Sequence, residues 1–543
     1  MDRDHTQGRA RQRALIWTAA VAVLGASIVA CSGGGGSTPT PTPTPSPVPS
    51  PTPSPSPSPP PVNGQAWQSY GGDAQHSAQT GIATQSLGRI VWRTPVDLAP
   101  PYTTQGYLLV HYGSPAITAK NTVIVPVKTG AQAGFRFEAH SASGALAWSV
   151  NSDYILPAHN WTPSFNVTLT PGNRIYAPGA GGKVLYRDDA DAAGASTQTA
   201  VFYGASVYAA ASAAYDAAVT INTPITSDAQ GNIYFGFIAK AGNGAGLASG
   251  IARIGADGVG SWAGAATLSA DAQISKVAMN SAPAISKDQN TVYVAVNTEA
   301  PSGTRPRGYL LALDSKTLAV KGKAALLDPR LNAPAGVSDD STAAPSVGPD
   351  GDVYFGVLEA PSGSHNGRGW LLHFDATLAQ LKIPGSFGWD DTAAIVPASM
   401  VPSYSGSSPY LVMTKYNNYQ RAGGGDGQNK VAVLDPGTAQ ADSISQLSVM
   451  KEVLTILGPT PDPANPGGVT EWCINIAAID PFTKSILVNS EDGYLYRWSM
   501  ASNTLSEKIQ LTSGLGESYT PVAVGPDGVV YAINNAVLFA VGK

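Results

Sequence analysis

The chain has 543 residues, 13% of them charged and 43% hydrophobic, with 59 glycines, 43 prolines and a formal net charge of −5. Average proteins carry about 25% charged residues, so this is a charge-poor, mildly acidic molecule, and without clustered Lys and Arg no nucleic-acid partner is expected. There are 2 cysteines, Cys31 and Cys473, and only Cys473 lies beyond the leader, which excludes an internal disulfide framework.

Arg9, Arg11 and Arg13 precede an apolar run from Ala14 to Ala30. The run is shorter than the about 20 residues of a membrane-spanning helix and is flanked as a secretory signal is. It ends Ser27-Ile28-Val29-Ala30-Cys31, which resembles the lipobox of bacterial lipoproteins. That resemblance implies lipidation at Cys31 and, with Ser32 following, sorting to the outer membrane. A plain cleaved signal and a single anchor helix are the alternatives. Gly33–Gly36 and a Thr/Ser-Pro run to Pro61 follow. In polyproline II conformation that run of about 24 residues reaches roughly 75 Å, a stiff spacer between membrane and folded part. The expected division is signal 1–30, lipidated linker 31–63 and one folded domain 64–543.

From there the chain repeats. The clearest units are 223–237 (TPITSDAQGNIYFGF), 282–296 (APAISKDQNTVYVAV), 344–357 (APSVGPDGDVYFGV) and 520–533 (TPVAVGPDGVVYAI), with weaker ones at 114–127, 162–178, 396–413 and 476–489. Gly231-Asn232, Asp350-Gly351 and Asp527-Gly528 sit between runs of Val, Ile, Tyr and Phe, as hairpin turns require. A third strand recurs (for example 309–314, YLLALD), and a weaker fourth follows. Eight units of four antiparallel strands predict an all-β, eight-bladed β-propeller. The last unit stops after its third strand, and the orphan strand RIVWRTPV (89–96) is expected to close the ring by completing it.

WQSYGGDAQHSAQTG (67–81), IVWRTPV (90–96) and the V-Y-V and L-L-A-L-D strand pairs resemble the PQQ-like repeat propellers. That superfamily includes quinoprotein alcohol dehydrogenases and outer-membrane assembly lipoproteins of the BamB type. The dehydrogenases carry an adjacent cysteine pair near their quinone, which is missing here, and no C-x-x-C-H haem site is present. The resemblance therefore implies the BamB-like branch, with PQQ binding not expected.

Residues just before each innermost strand gather at one channel mouth. Read in order they are His111 and Tyr112, then His159, Asn160 and Trp161, then Asn222, Asn280, Asp339 and Asp340, Asp390 and Asp391, Glu471 and Trp472, and Glu517 and Tyr519. Carboxylates from Asp339, Asp340, Asp390 and Asp391 offer oxygen ligands of the kind Ca²⁺ takes, or a crowded pair with one raised pKa. The histidines across the ring can move protons. Against this stands the ordinary use of Asp, Asn and Ser as turn formers around a water-filled channel. Cys473 reads as a buried spectator, Asp188-Asp189 as surface, and the Gly-rich stretch 414–430 as a flexible insertion whose Tyr416, Tyr419 and Arg421 can stack on sugar or peptide.

The expected function is a monomeric, non-catalytic binding or assembly scaffold, lipid-anchored at the cell envelope and engaging a protein or glycan through mouth and loops. The alternatives are a polysaccharide lyase or hydrolase with an acidic mouth, and a PQQ-binding protein.

Overall fold

The computed structural model describes residues 64–543 apart from 105, 107, 109, 132–133, 160, 300–304, 421 and 516–520. The signal, Cys31, the linker, Asn160, Arg421, Glu517 and Tyr519 lie outside the described residues. Eight small antiparallel sheets follow one another as blade 1 (116–152), blade 2 (168–201), blade 3 (219–264), blade 4 (274–325), blade 5 (346–374), blade 6 (394–457), blade 7 (478–510) and blade 8 (523–542). The strand Arg89–Pro95 pairs antiparallel with Val537–Gly542, from Arg89 opposite Gly542 to Pro95 opposite Val537, so the expected closure by an N-terminal strand is what the fold uses. Blade 5 departs from four strands: its fourth position is reduced to bridges at Leu381 and Gly385. Among the described residues, α-helix is confined to three short pieces, Ala205–Ala210, Ser212–Ala218 and Ala265–Ser269, with 3₁₀ turns at Ala180–Gly182 and Ala398–Met400.

The repeated tyrosine in the second strand has a physical reason. Its ring is buried between blades, and its hydroxyl reaches the next blade: Tyr234 donates to the Ser315 carbonyl at 2.9 Å, and Tyr293 to that of Ala376 at 2.8 Å. Tyr354 meets the Tyr410 hydroxyl at 2.7 Å. In blades 3, 4 and 5 this tyrosine therefore ties neighbouring blades together as well as filling the core, whereas Tyr531 of blade 8 is buried with its hydroxyl unpartnered.

Connections between blades, and between second and third strands, fall on one face of the ring. The tight first-to-second and third-to-fourth hairpins fall on the other. Across the hairpin face runs the segment 64–80, and it touches every blade. Trp67 exchanges both backbone bonds with Ile117 (2.9 and 2.8 Å), and the Gln68 carbonyl accepts from Leu169 at 2.8 Å. Ser69 Oγ donates to Ile225 O at 3.3 Å. The carbonyls of Ala74, Gln75, Ser77 and Ala78 accept from Ile285, Val347, Ile395 and Ile479 at 2.7, 2.9, 3.1 and 2.8 Å, and Gly64 N donates to Pro526 O at 3.0 Å. The innermost strands would otherwise leave backbone groups unpaired around the axis. The segment supplies those partners and plugs the channel from this side. Its turn depends on Gly71 and Gly72, with φ of +65° and +82°; a Cβ on Gly72 would stand 3.1 Å from the Trp67 ring.

Candidate functional site at the channel mouth

The opposite face carries the sequence-predicted mouth residues, brought in by the loops that enter blades 1 to 7. They meet across the axis rather than lining an open ring. His111, entering blade 1, lies 3.9 Å from Asp390 Oδ2, entering blade 6. His159, entering blade 2, is 2.6 Å from Asp340 Oδ1, entering blade 5. The Trp161 backbone N–H donates to His159 Nδ1 at 3.0 Å, which leaves Nε2–H to donate to Asp340. Trp161 stacks on His111 with ring centroids 3.5 Å apart and packs edge-on against His159.

The four aspartates do not converge on one ion. Asp339 bonds Lys276 (2.9 Å), Asn297 Nδ2 (2.9 Å) and the Met279 N–H (3.1 Å). Asp340 is committed to His159, and its side chain is 40% exposed. Asp390 Oδ1 accepts from both the N–H and the hydroxyl of Thr342 at 2.7 Å, with Lys415 Nζ 4.0 Å from Oδ2. Asp391 Oδ2 accepts from the Thr414 hydroxyl and from Lys415 N–H at 2.8 Å. The four carboxylates come as two adjacent pairs on two loops and each turns to donors of its own, so their ligand atoms do not gather into the expected shared Ca²⁺ site of Asp339, Asp340, Asp390 and Asp391. Among the described residues, the His, Cys, Asp and Glu ligand atoms that do cluster are those of Glu471, Cys473 and Glu491, within 4.8 Å of one another and buried. Cys473 is 3.8 Å from Glu491 Oε2.

The remaining mouth residues serve as lacing. Asn222 Nδ2 donates to Val277 O, Asn280 N–H to Asn222 O, and Asn280 Nδ2 to Asp339 O, a chain across blades 3 to 5. Tyr112 donates to Asp97 at 2.9 Å. Trp472 exchanges bonds with the Asn417 side chain. Asn280 and Asp390 hold positive φ of 64° and 51°, which Asn and Asp tolerate better than other side chains.

Burial shapes the electrostatics. Asp390 and Asp391 are each 2% exposed. Desolvation pushes Asp390 up to about 6 against the pull of Lys415 and Thr342. It pushes Asp391 up to about 7 against Lys415 and Thr414. Desolvation, then the charges of Lys415 and His159, hold His111 well below the usual imidazole range. The arrangement can hold a proton on buried carboxyls, but the stacked His111–Trp161 pair and the His159–Asp340 bond lie over them.

The channel is filled rather than open, because the plug segment enters from one side and cross-axis pairs close the other. One further expectation needs correction. The stretch 414–430 is not a loose insertion where it matters: Tyr416 and Tyr419 are buried, with Arg368 stacked 4.1 Å over Tyr416. Asp188 is on the surface beside Arg174, as expected. Lys415 was not singled out from sequence. Its signal was present, since it is the one cation within the apolar strand Tyr410–Tyr416 (YLVMTKY). Tyr70, Thr342 and Thr392 carried no comparable signal.

No family model matches the chain, and no curated protein matches it in sequence. Solved structures do match its shape. A europium-containing methanol dehydrogenase shares 10% identity, with 86% of this chain and 89% of that one covered and a TM-score of 0.51. A quinohemoprotein alcohol dehydrogenase from Comamonas testosteroni shares 13% identity over 88% of this chain and 81% of that one, with a TM-score of 0.50. The fold is therefore the quinoprotein-type β-propeller. Its described residues do not fit a tricyclic quinone. The aromatic slot at the mouth is closed by His111 on Trp161 at 3.5 Å. The axial cavity beneath holds about 10 Å³, against about 300–1,000 Å³ for small-molecule pockets.

Proposed function

We propose that this chain is a lipid-anchored cell-envelope protein whose propeller is a non-catalytic binding scaffold, closer in role to outer-membrane assembly lipoproteins than to dehydrogenases. The observation that carries this reading is the filled axis. Residues 64–80 bond to all eight blades from the hairpin face, and at the mouth His159 pairs with Asp340, Lys276 with Asp339, and Lys415 lies beside Asp390. A ring stiffened in this way suits presentation of a surface rather than enclosure of a substrate. The face that carries the longer connections, with the part-exposed Asp340 and His159 at its centre, is the one offered to an envelope protein or glycan. The lipobox and the Pro-rich spacer support a position held away from the bilayer, and the absence of a basic cluster supports a partner other than nucleic acid.

The second reading, a polysaccharide lyase or hydrolase, is favoured by Asp390 and Asp391, whose raised pKa values of about 6 and about 7 suit acid–base work. It requires the His111–Trp161 stack to part. The deciding experiment is crosslinking in intact cells, comparing the native protein with a His159→Ala/Asp340→Ala variant, alongside turnover assays on envelope polysaccharides. The scaffold reading predicts a defined envelope partner lost in the variant and no turnover. Polymer cleavage abolished by Asp390→Asn would overturn it.

A further inference from the structure

In blade 4 the strand Ile274–Val277 pairs antiparallel with Thr291–Thr298, and Lys276 stands directly opposite Asn297. Both are enclosed, at 5% and 0% exposure. Lys276 Nζ donates to Asn297 Oδ1 at 3.1 Å. Asp339, on the loop that enters blade 5, reaches both side chains. Its Oδ2 lies 2.9 Å from Lys276 Nζ, and its Oδ1 accepts from Asn297 Nδ2 at 2.9 Å. The carboxylate is itself held in place, because the Met279 N–H donates to Oδ1 at 3.1 Å. The other carboxylate near the lysine, Glu299, is exposed and stands farther off at 3.7 Å. An amine, a carboxamide and one bridging carboxylate thus close a triangle of contacts.

The orientation of the carboxamide is fixed. Asn297 Nδ2 donates to the Val337 carbonyl at 3.0 Å as well as to Asp339, so both its hydrogens are in use. Turning the amide would set Oδ1 against a carbonyl and a carboxylate, and Nδ2 against an ammonium group. The lysine therefore stands at the carbonyl end of the amide and the carboxylate at its nitrogen end. Those are the places of a nucleophile and of a proton carrier to a leaving group. Reactants held together in this way reach effective molarities of about 10⁵–10⁸ M.

We propose that Lys276 and Asn297 join in an isopeptide bond, formed by the folded protein itself with Asp339 carrying the protons. The contacts described are those of the reactants. Nζ attacks Asn297 Cγ and the Nζ–Cγ bond forms, after which the Cγ–Nδ2 bond breaks. Of the three protons on the Lys276 ammonium, two pass through Asp339 to Nδ2, which leaves as an ammonium ion, and one stays on the new amide. No electrons are exchanged and no co-reactant is consumed. The bond ties two neighbouring strands of blade 4 and closes the chain between 276 and 297 into a loop, which restricts the unfolded state as any crosslink does. It would staple a folded domain whose one cysteine, Cys473, forms no disulfide.

The test is tryptic peptide mapping of the full-length protein purified in detergent. Without the bond, trypsin cuts after Lys276 and releases Asn297 in the separate peptide 288–307. The expected result is a branched peptide joining 254–287 to 288–307, lighter by one ammonia than the two together, and its absence in Asp339→Ala, which keeps both reactants. Recovery of Lys276 and Asn297 only in separate, unbranched peptides of the wild type would overturn the proposal. So would ammonia loss confined to 288–307, which would mean that Asn297 had cyclised on its own backbone. A branched peptide in Asp339→Ala as well would overturn the part given to Asp339. The wild-type map decides the bond itself even if Asp339→Ala does not fold.

Discussion

The Tyr70 hydroxyl stands 2.6 Å from Thr392 Oγ1, joining a residue of the N-terminal plug to the loop that enters blade 6. Both residues belong to one buried chain. Thr392 Oγ1 also accepts from the Ala344 N–H, Tyr70 reaches the Thr342 carbonyl, and Thr342 holds Asp390. The segment that closes the ring on one face is thereby wired to the carboxylates of the other.

Tyr70→Phe removes that link with little change in packing. The Thr342 carbonyl keeps Asn475 as a donor, so no acceptor is stranded and the loss is expected near the net worth of one hydrogen bond, about 1 kcal/mol. Thermal melting should register a small fall, and an unchanged melting temperature would show that the link carries no load.

The plug turn makes a sharper demand. Gly72→Ala sets a Cβ at a φ of +82° and 3.1 Å from the Trp67 ring, and should cost about 1–2 kcal/mol. Gly194→Ala, whose Cβ meets nothing within 4 Å, is the control and should be close to neutral in the same melt.

Asp391 dictates a pH dependence. Its folded pKa of about 7 lies above the unfolded value of about 3.9, so between these the folded state binds more protons. Stability present below pH about 4 is therefore lost as pH rises through 7. His111 works the other way: it is held below the imidazole range, so its contribution is present above about 6.5 and lost as pH falls. Asp391→Asn separates the two. The melting temperature of the wild type relative to this variant should fall between pH 5 and pH 8, and a flat difference would mean that Asp391 ionises normally.

Charge removal should cost very different amounts at two mouth positions. Asp340→Ala breaks a part-exposed pair and is expected to change stability by less than about 1 kcal/mol. Lys415→Ala withdraws a buried cation from beside Asp390 and Asp391, and stranding buried partners in this way costs about 3–5 kcal/mol. Comparable melting shifts for the two would contradict the burial assigned to Lys415.

The ring was legible in the sequence because its period is enforced by local chemistry. Turn pairs such as Asp350-Gly351 and the strand tyrosines Tyr234, Tyr293 and Tyr354 recur at fixed places, and strand 89–95 was the one piece without a unit of its own. The mouth positions were legible for the same reason, since the residues before each innermost strand must end there. Their pairing was not. Whether His159 meets Asp340 or a calcium ion sits among four aspartates depends on how far loops from blades 2 and 5 reach across the axis, which no spacing encodes. Whether the segment after the linker plugs the channel could not be decided from sequence, because its bonds are mostly backbone carbonyls of Ala74, Gln75, Ser77 and Ala78, and a carbonyl has no sequence signature.

Hydrogen–deuterium exchange over residues 64–80 tests the sealed ring most directly. The predicted result is protection of the Trp67 and Thr80 amides, which donate to Ile117 O and Ile479 O, together with the Ile285, Val347, Ile395 and Ile479 amides, which donate to plug carbonyls. Exchange in seconds at these six amides, with the second strands of the blades still protected, would mean that the channel is open and that the scaffold reading has lost its support.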